Sequence, residues 1–198
     1  MLFRSYADIF QVPVIHLLDK FLASSISTCK KFDESKITIN RGKLLDEIKS
    51  ENYNRFEQTS DGISPRSKLG LENGIFWNTG DESDIHGHIS EDPVVRVQMM
   101  EKRQSRLDNI LENIPDDEQI VKHSDGEICI ISWGSAQGPI LDAIKMLQRD
   151  GIKIGFIEIK LLNPFPKNLL KKYLTNVKTL VDVEANYTGQ LGSLIRQN

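Results

Sequence analysis

Glu127-Ile128-Cys129-Ile130-Ile131-Ser132-Trp133, running into Gly134-Ser135-Ala136-Gln137-Gly138-Pro139, decides the fold. The first run is a short apolar strand rich in isoleucine. The second is a tight turn of small residues opening a helix over 138–150, with Pro139 near its start and Gly151 just past its end. A strand over 152–162, a helix over 167–175, a strand over 177–184 and a helical start over 189–196 follow. Strands alternating with helices imply right-handed crossovers and a parallel sheet covered on both faces, so residues 126–198 are predicted to form an α/β domain.

Upstream of this domain the pattern changes twice. Asp92 and Pro93 open a helix, Asp92 as cap and Pro93 at the first position. Its apolar stripe reads Val97, Met100, Leu107, Leu111 and Ile114, with Arg96, Lys102, Arg103 and Arg106 on other faces. From Glu51 to Asp92 the chain is aperiodic, broken at Asp61-Gly62, Ser64-Pro65, Asn73-Gly74, Thr79-Gly80 and His86-Gly87. Its Phe56, Ile63, Phe76 and Trp77 are too apolar for a solvated linker, so it is expected to be an ordered excursion packed on another surface.

The opening residues pose a different problem. Leu2, Phe3, Tyr6, Ala7 and Phe10 recur at helical spacing, and Val12-Pro13-Val14-Ile15-His16-Leu17-Leu18 reads as a nearly all-apolar strand. Such strands are buried on both faces in parallel sheets. No crossover long enough to build a sheet follows Leu18, so the ribbon is expected to be the tail of an incomplete domain, the competing reading being a strand that pairs with those after residue 120. The predicted organisation is therefore 1–46 as that tail, 47–125 as excursion and long helix, and 126–198 as the α/β domain.

Composition narrows the chemistry. With 25 basic and 28 acidic residues interspersed and a net charge of -3, no basic field for nucleic acid is present, and no apolar run approaches the roughly 20 residues that span a bilayer. Cys29 and Cys129 stand a hundred positions apart without zinc or cluster spacing and suit a reducing, cytoplasmic setting. Gly134, Ser135 and Gln137 lie at the carboxyl end of a strand, where α/β sheets bind ligands and free amides receive anions. The turn lacks the glycines and lysine of nucleotide-binding loops, and a plain strand-to-helix turn has the same residue demands. Asp81 to His88 gathers carboxylates with His86 and His88, a modest signal for a divalent metal that a hydrogen-bonded turn explains equally well. Arg66 offers a guanidinium that could grip a carboxylate or phosphate, most simply in a salt bridge to a neighbouring domain. His16 and His123 read as structural, the latter in a polar turn.

Taken together, several blocks closely resemble the alpha subunit of archaeal-type 2-oxoacid:ferredoxin oxidoreductases. They are Val12 to Lys20, Arg55-Phe56 through Asp61-Gly62-Ile63-Ser64-Pro65-Arg66, Gly74-Ile75-Phe76-Trp77-Asn78-Thr79-Gly80-Asp81-Glu82, and His88-Ile89-Ser90-Glu91-Asp92-Pro93. Trp133-Gly134-Ser135, Gly138-Pro139-Ile140, Asn163-Pro164-Phe165-Pro166 and Val183-Glu184-Ala185-Asn186-Tyr187-Thr188-Gly189-Gln190-Leu191 continue the series in family order. The resemblance implies a transketolase-C-terminal-like domain preceded by the tail of a thiamine-diphosphate pyrimidine-side domain. It implies oxidative decarboxylation of a 2-oxoacid such as pyruvate or 2-oxoglutarate, with coenzyme A, to acyl-CoA and carbon dioxide, electrons passing to ferredoxin. Thiamine diphosphate with magnesium and a [4Fe-4S] cluster belong to the complex, none held by this chain alone, and the beta subunit is the expected partner, with neither nucleic acid nor membrane.

The family's Y-P-I-T-P and Q-R-x-G-P-S-T-G-x-P-T segments and its gamma-like domain are absent, and Ser83 stands where a histidine is frequent. The chain alone is therefore expected to be inactive, a C-terminal portion or a noncatalytic assembly module, with no catalytic residue or metal ligand carried over. Arg66, Trp77, Asp81, His88, Gly134, Ser135 and Gln137 are the residues expected to face the partner or the active site.

Overall fold

The computed structural model describes residues 2–49 and 51–198, which form two compact units. Unit 1 comprises residues 1–16 and 29–110, and unit 2 residues 17–28 and 111–198.

Unit 2 is built on a four-stranded sheet. Strand β1 (Ile120–Ser124) follows a one-turn helix (Asp116–Gln119), and β2 (Ile128–Ser132), β3 (Ile154–Ile159) and β4 (Thr179–Asp182) follow it. The order is β1-β3-β2-β4; β2 runs parallel to both its neighbours, and β1 pairs antiparallel with β3. The sheet is thus mixed, because a fourth strand stands where the sequence suggested a polar turn, and His123 lies on it. Only Ile120 and Val121 mark that strand as apolar, and its pairing with β3 supplies what its own pattern lacks. Alternation along β3 feeds two cores. Phe156 and Ile154 pack under Ile140 and Ile144 of the helix Gln137–Arg149, whereas Ile157 and Ile159 meet Ile131, Leu170 and Leu191 on the other face. All six residues of β3 are buried, as expected of a strand covered on both sides. Helices Lys167–Tyr173 and Gln190–Gln197 complete the unit.

Unit 1 holds itself together differently. Its opening helix (Leu2–Phe10) buries Phe10; the side chains of Leu2 and Phe3 lie outside the described residues. Beyond one turn of 3-10 helix at Glu34–Lys36, the described residues of 29–92 form turns and isolated bridges, so among them carbonyls have no ladder to join. The long helix Pro93–Asn113, capped by Asp92, whose carboxylate accepts from the Val94 amide at 2.8 Å, supplies the missing donors. Lys102, only 4% exposed, donates to the Phe56 and Glu57 carbonyls at 2.7 Å each and to the Ser64 hydroxyl. Arg106 donates to the carbonyls of Gly62 at 2.7 Å and Gln11 at 3.0 Å, and Asn109 to that of Asp61 at 3.2 Å.

The expected apolar stripe holds only toward its end: Ile114 is buried and Leu107 and Leu111 are half-buried, whereas Val97 is 55% and Met100 42% exposed, and the buried positions of the helix are Met99, Lys102 and Ile110. The helix packs on a loop, and a loop's inward carbonyls select donors over hydrocarbon. The ribbon over 12–18 does not form a strand either: its Ile15 is 80% exposed, and Phe32 further on 81%.

Candidate functional site

In unit 2 the site forms where β2 hands the chain to the helix Gln137–Arg149. Trp133 is still extended; Gly134, at φ +66°, turns the backbone into one turn of 3-10 helix over Gly134–Ala136, and Gln137 begins the helix. No side chain caps that helix. Gln137 instead turns inward, its amide donating to Glu158 Oε2 at 2.9 Å. His123 Nε2, from β1, lies 2.9 Å from the same oxygen, its ring stacked on Phe156 at 4.7 Å and 12°. Glu158 is a buried acid in mid-sheet, and these two partners are what make its burial tolerable. Ser135 turns the other way. Its hydroxyl, then the Leu22 amide, hold the exposed Asp19 carboxylate below the usual range. Asp19 also caps the short helix Lys20–Ser24, with Leu22 N–H at 2.9 Å. An anion therefore does meet this turn, but it is the chain's own.

Unit 1 assembles the other candidates within the excursion. Phe56 N–H donates to Ile85 O at 3.0 Å, Asp84 N–H to His88 O at 2.9 Å and Ser90 N–H to Glu82 O at 3.0 Å, folding 82–90 into a tight loop. Gly87, at φ +92°, admits no side chain: a Cβ there would sit 1.9 Å from the Trp77 carbonyl oxygen. Trp77, 64% exposed, places its ring 5.8 Å from that of His88, and His86 lies 6.2 Å beyond. The Asp84 carboxylate accepts from the His86 and His88 amides at 2.8 and 3.0 Å, so it stays below its ordinary pKa although burial opposes this. It is thereby spent on the loop, and among the described residues no three His, Cys, Asp or Glu side chains converge as for a metal. Asp81 lines a cleft of about 510 Å³ with Glu82, Glu91 and Arg96, and Glu82 forms a bidentate pair with Arg103 at 3.0 and 2.6 Å.

Arg66 does not present itself outward as expected. It donates to Asp8 at 2.8 Å and to the Arg41 carbonyl at 3.3 Å, and Arg41 shares the same carboxylate at 2.7 Å. The Arg41 hydrogen bond is the main reason Asp8 is held below the usual range. Arg66 is a staple inside unit 1. Of the other named residues, Gly134, Ser135 and Gln137 form one contiguous turn, and Trp77 and His88 one aromatic shelf. Sequence reasoning missed Glu158, His123, Asp19 and Lys102. An isolated acid within the apolar run 154–159 was the available signal for Glu158.

Residues 126–198 match the family described as pyruvate:ferredoxin oxidoreductase core domain II. Over 97% of its length the chain is 44% identical to 2-oxoacid:ferredoxin oxidoreductase 2, subunit alpha, of Aeropyrum pernix, covering 30% of that protein. It is 40% identical, also over 97%, to the 2-oxoacid:ferredoxin oxidoreductase subunit alpha of Saccharolobus solfataricus, of which it covers 31%. Among solved structures, the 2-oxoglutarate:ferredoxin oxidoreductase from Magnetococcus marinus, with 2-oxoglutarate, coenzyme A and succinyl-CoA bound, superposes with a TM-score of 0.88 at 29% identity, over 98% of this chain and 33% of that one. The chain spans about a third of the length of the curated relatives it matches. Over nearly its whole length it is thus related to the alpha subunits of the 2-oxoacid:ferredoxin oxidoreductases.

Proposed function

We propose that this chain works as part of the alpha subunit of a cytoplasmic 2-oxoacid:ferredoxin oxidoreductase. In that role it takes part in the oxidative decarboxylation of pyruvate or 2-oxoglutarate with coenzyme A, electrons passing to ferredoxin. The observation that carries the reading is the likeness of the chain, at a TM-score of 0.88 over 98% of its length, to an oxidoreductase of this kind. Bound thiamine diphosphate would supply the carbanion chemistry of such a complex. The two cysteines of this chain, Cys29 exposed and Cys129 buried, are too few to supply the four thiolates of an iron-sulfur cluster. We therefore place the cluster on the beta subunit. The tasks left to this chain are to present the aromatic shelf of Trp77 and His88, the Asp81 cleft, and the Gly134, Ser135 and Gln137 turn, with Glu158 fixing Gln137.

The exposed ribbon around Ile15 supports a second reading, a noncatalytic assembly module whose apolar residues dock the rest of the complex. One experiment separates the two. The chain is co-expressed with a beta subunit and the missing alpha portion of a close relative, and reduction of a viologen dye is followed. Dependence on both 2-oxoacid and coenzyme A, lost when this chain is omitted, is expected. Binding without any chain-dependent turnover supports the assembly reading, and no binding overturns both.

A further inference from the structure

In unit 1 a buried cation is held by neutral oxygens. Lys102 and Ser64 are both buried, and the lysine Nζ donates to the Phe56 and Glu57 carbonyls at 2.7 Å each and to the Ser64 hydroxyl. Its hydrogens can be counted. Ser64 Oγ itself donates to the Glu57 carbonyl at 2.8 Å, so its one hydrogen is used there and it meets Lys102 only as an acceptor. Three acceptors around one nitrogen require three N–H donors, which an ammonium has and a neutral amine lacks. Burying a charge is costly without full hydrogen bonding, and this pocket supplies that bonding from dipoles, with no acid among the three acceptors. The oxygens also have supports besides the lysine. Phe56 N–H donates to Ile85 O at 3.0 Å, Gly62 N–H closes a turn on Thr59 O at 3.0 Å, and the Gln11 amide holds the Ser64 carbonyl at 2.6 Å.

We propose that the Phe56 carbonyl, the Glu57 carbonyl and the Ser64 hydroxyl form a site for one primary ammonium ion, filled in this chain by its own Lys102, and that the cation orders residues 56–64 whether or not it is tethered to the helix. The ligand class is a primary alkylammonium. A quaternary ammonium has charge without N–H groups, and an alcohol has a single hydrogen, so neither satisfies three acceptors. The helix Pro93–Asn113 is the carrier that delivers the ion on a four-carbon stem. Through Phe56, whose amide holds Ile85, the same ion supports the loop that bears His88. Burial, then Arg106 and Arg55, lower the pKa of Lys102 only to about 8, so the occupant is cationic at neutral pH. The site is complete within unit 1, whatever the excursion meets in a complex.

Lys102→Ala deletes the atoms of n-propylammonium, so that ion is the probe. Amide exchange over residues 56–66 and 82–90 is followed in the full-length Lys102→Ala chain as n-propylammonium chloride is added. Protection lost in the variant is expected to return saturably, by about tenfold once the probe stands at roughly ten times its Kd. Tetramethylammonium chloride and 1-propanol should restore little. The wild-type chain, whose site is filled, and Lys102→Met, whose stem occupies the space, should not respond to the amine. Equal recovery with 1-propanol overturns the proposal, because volume and not charge would then order the loop. So does a Lys102→Ala chain, folded or not, that regains nothing with the amine. A second measurement needs no variant: ¹⁵N spectra of the wild-type Lys102 side chain at about pH 6 should show an ammonium with three slowly exchanging hydrogens. A neutral amine there, or hydrogens exchanging as fast as those of surface lysines, overturns the proposal as well.

Discussion

The sheet of unit 2 and the excursion of unit 1 solve one problem, satisfying backbone in a dry interior, by opposite means. In β3 ladders to β2 and β1 take up most of the backbone, which leaves side chains free to be hydrocarbon; Phe156 and Ile157 are completely buried. In the excursion no ladder exists, and Lys102, Arg106 and Asn109 reach from one helix into loop carbonyls. The first arrangement depends on volume, the second on hydrogen bonds to charge. The two should therefore fail under different insults.

Truncating the hydrocarbon core has the largest expected effect. Phe156→Ala empties the space under Ile140 and Ile144 and removes the surface on which His123 stacks, so a loss of about 3–5 kcal/mol is expected in denaturant unfolding. The loss should be seen by exchange in β2 and β3. A change under about 1 kcal/mol would mean the sheet is not the cohesive element we describe.

Lys102→Met comes next. It keeps the apolar stem but strands two carbonyls and a hydroxyl, at about 1–3 kcal/mol for a buried group left unpaired. Protection should collapse across 51–92 while β2 and β3 keep theirs; equal losses in both units would erase the contrast. The lysine also has a pH signature. Burial, then Arg106 and Arg55, lower its pKa to about 8. Between about 8 and its ordinary 10.5 the unfolded chain binds more protons than the folded one, so folding gains as pH rises through that window. In Lys102→Met that rise should vanish.

Glu158→Gln is smaller, about 1 kcal/mol, because an amide oxygen still accepts one of the two donors. What should change is the Gln137 side chain, whose NH₂ resonances are expected to lose their distinct environment. If they do not move, Glu158 is not what fixes Gln137.

The same contrast explains what the sequence disclosed. The run from β2 to the last helix was readable within a residue or two at most ends because Pro139, Gly151 and the isoleucine runs agree with the final packing. Strand β1 was not, since Lys122, His123 and Ser124 become a strand only by pairing with β3, more than thirty positions away. The helix Pro93–Asn113 was legible as an element but only in the last part of its facing, because periodicity assumes an apolar partner and the first part of the helix meets a carbonyl-rich loop. At the site, the small residues of 134–137 marked the turn. Glu158 and His123 gave no local sign of meeting there, and Arg66 gave none that Asp8 would claim it.

The smallest expected effect on stability belongs to Trp77, which we propose faces a partner. Trp77 has 64% of its surface in solvent and the His88 ring 5.8 Å from its own, so Trp77→Ala should shift unfolding by no more than about 0.5 kcal/mol. A large aromatic side chain that contributes so little to its own fold is an interface residue or a surplus one. Binding to the beta subunit distinguishes these, because truncating an anchoring tryptophan costs about 2 kcal/mol or more, roughly thirtyfold in Kd. If binding is unchanged while Ile15→Ser weakens it, the apolar ribbon and not the excursion carries the contact, and the aromatic shelf of unit 1 loses its proposed role.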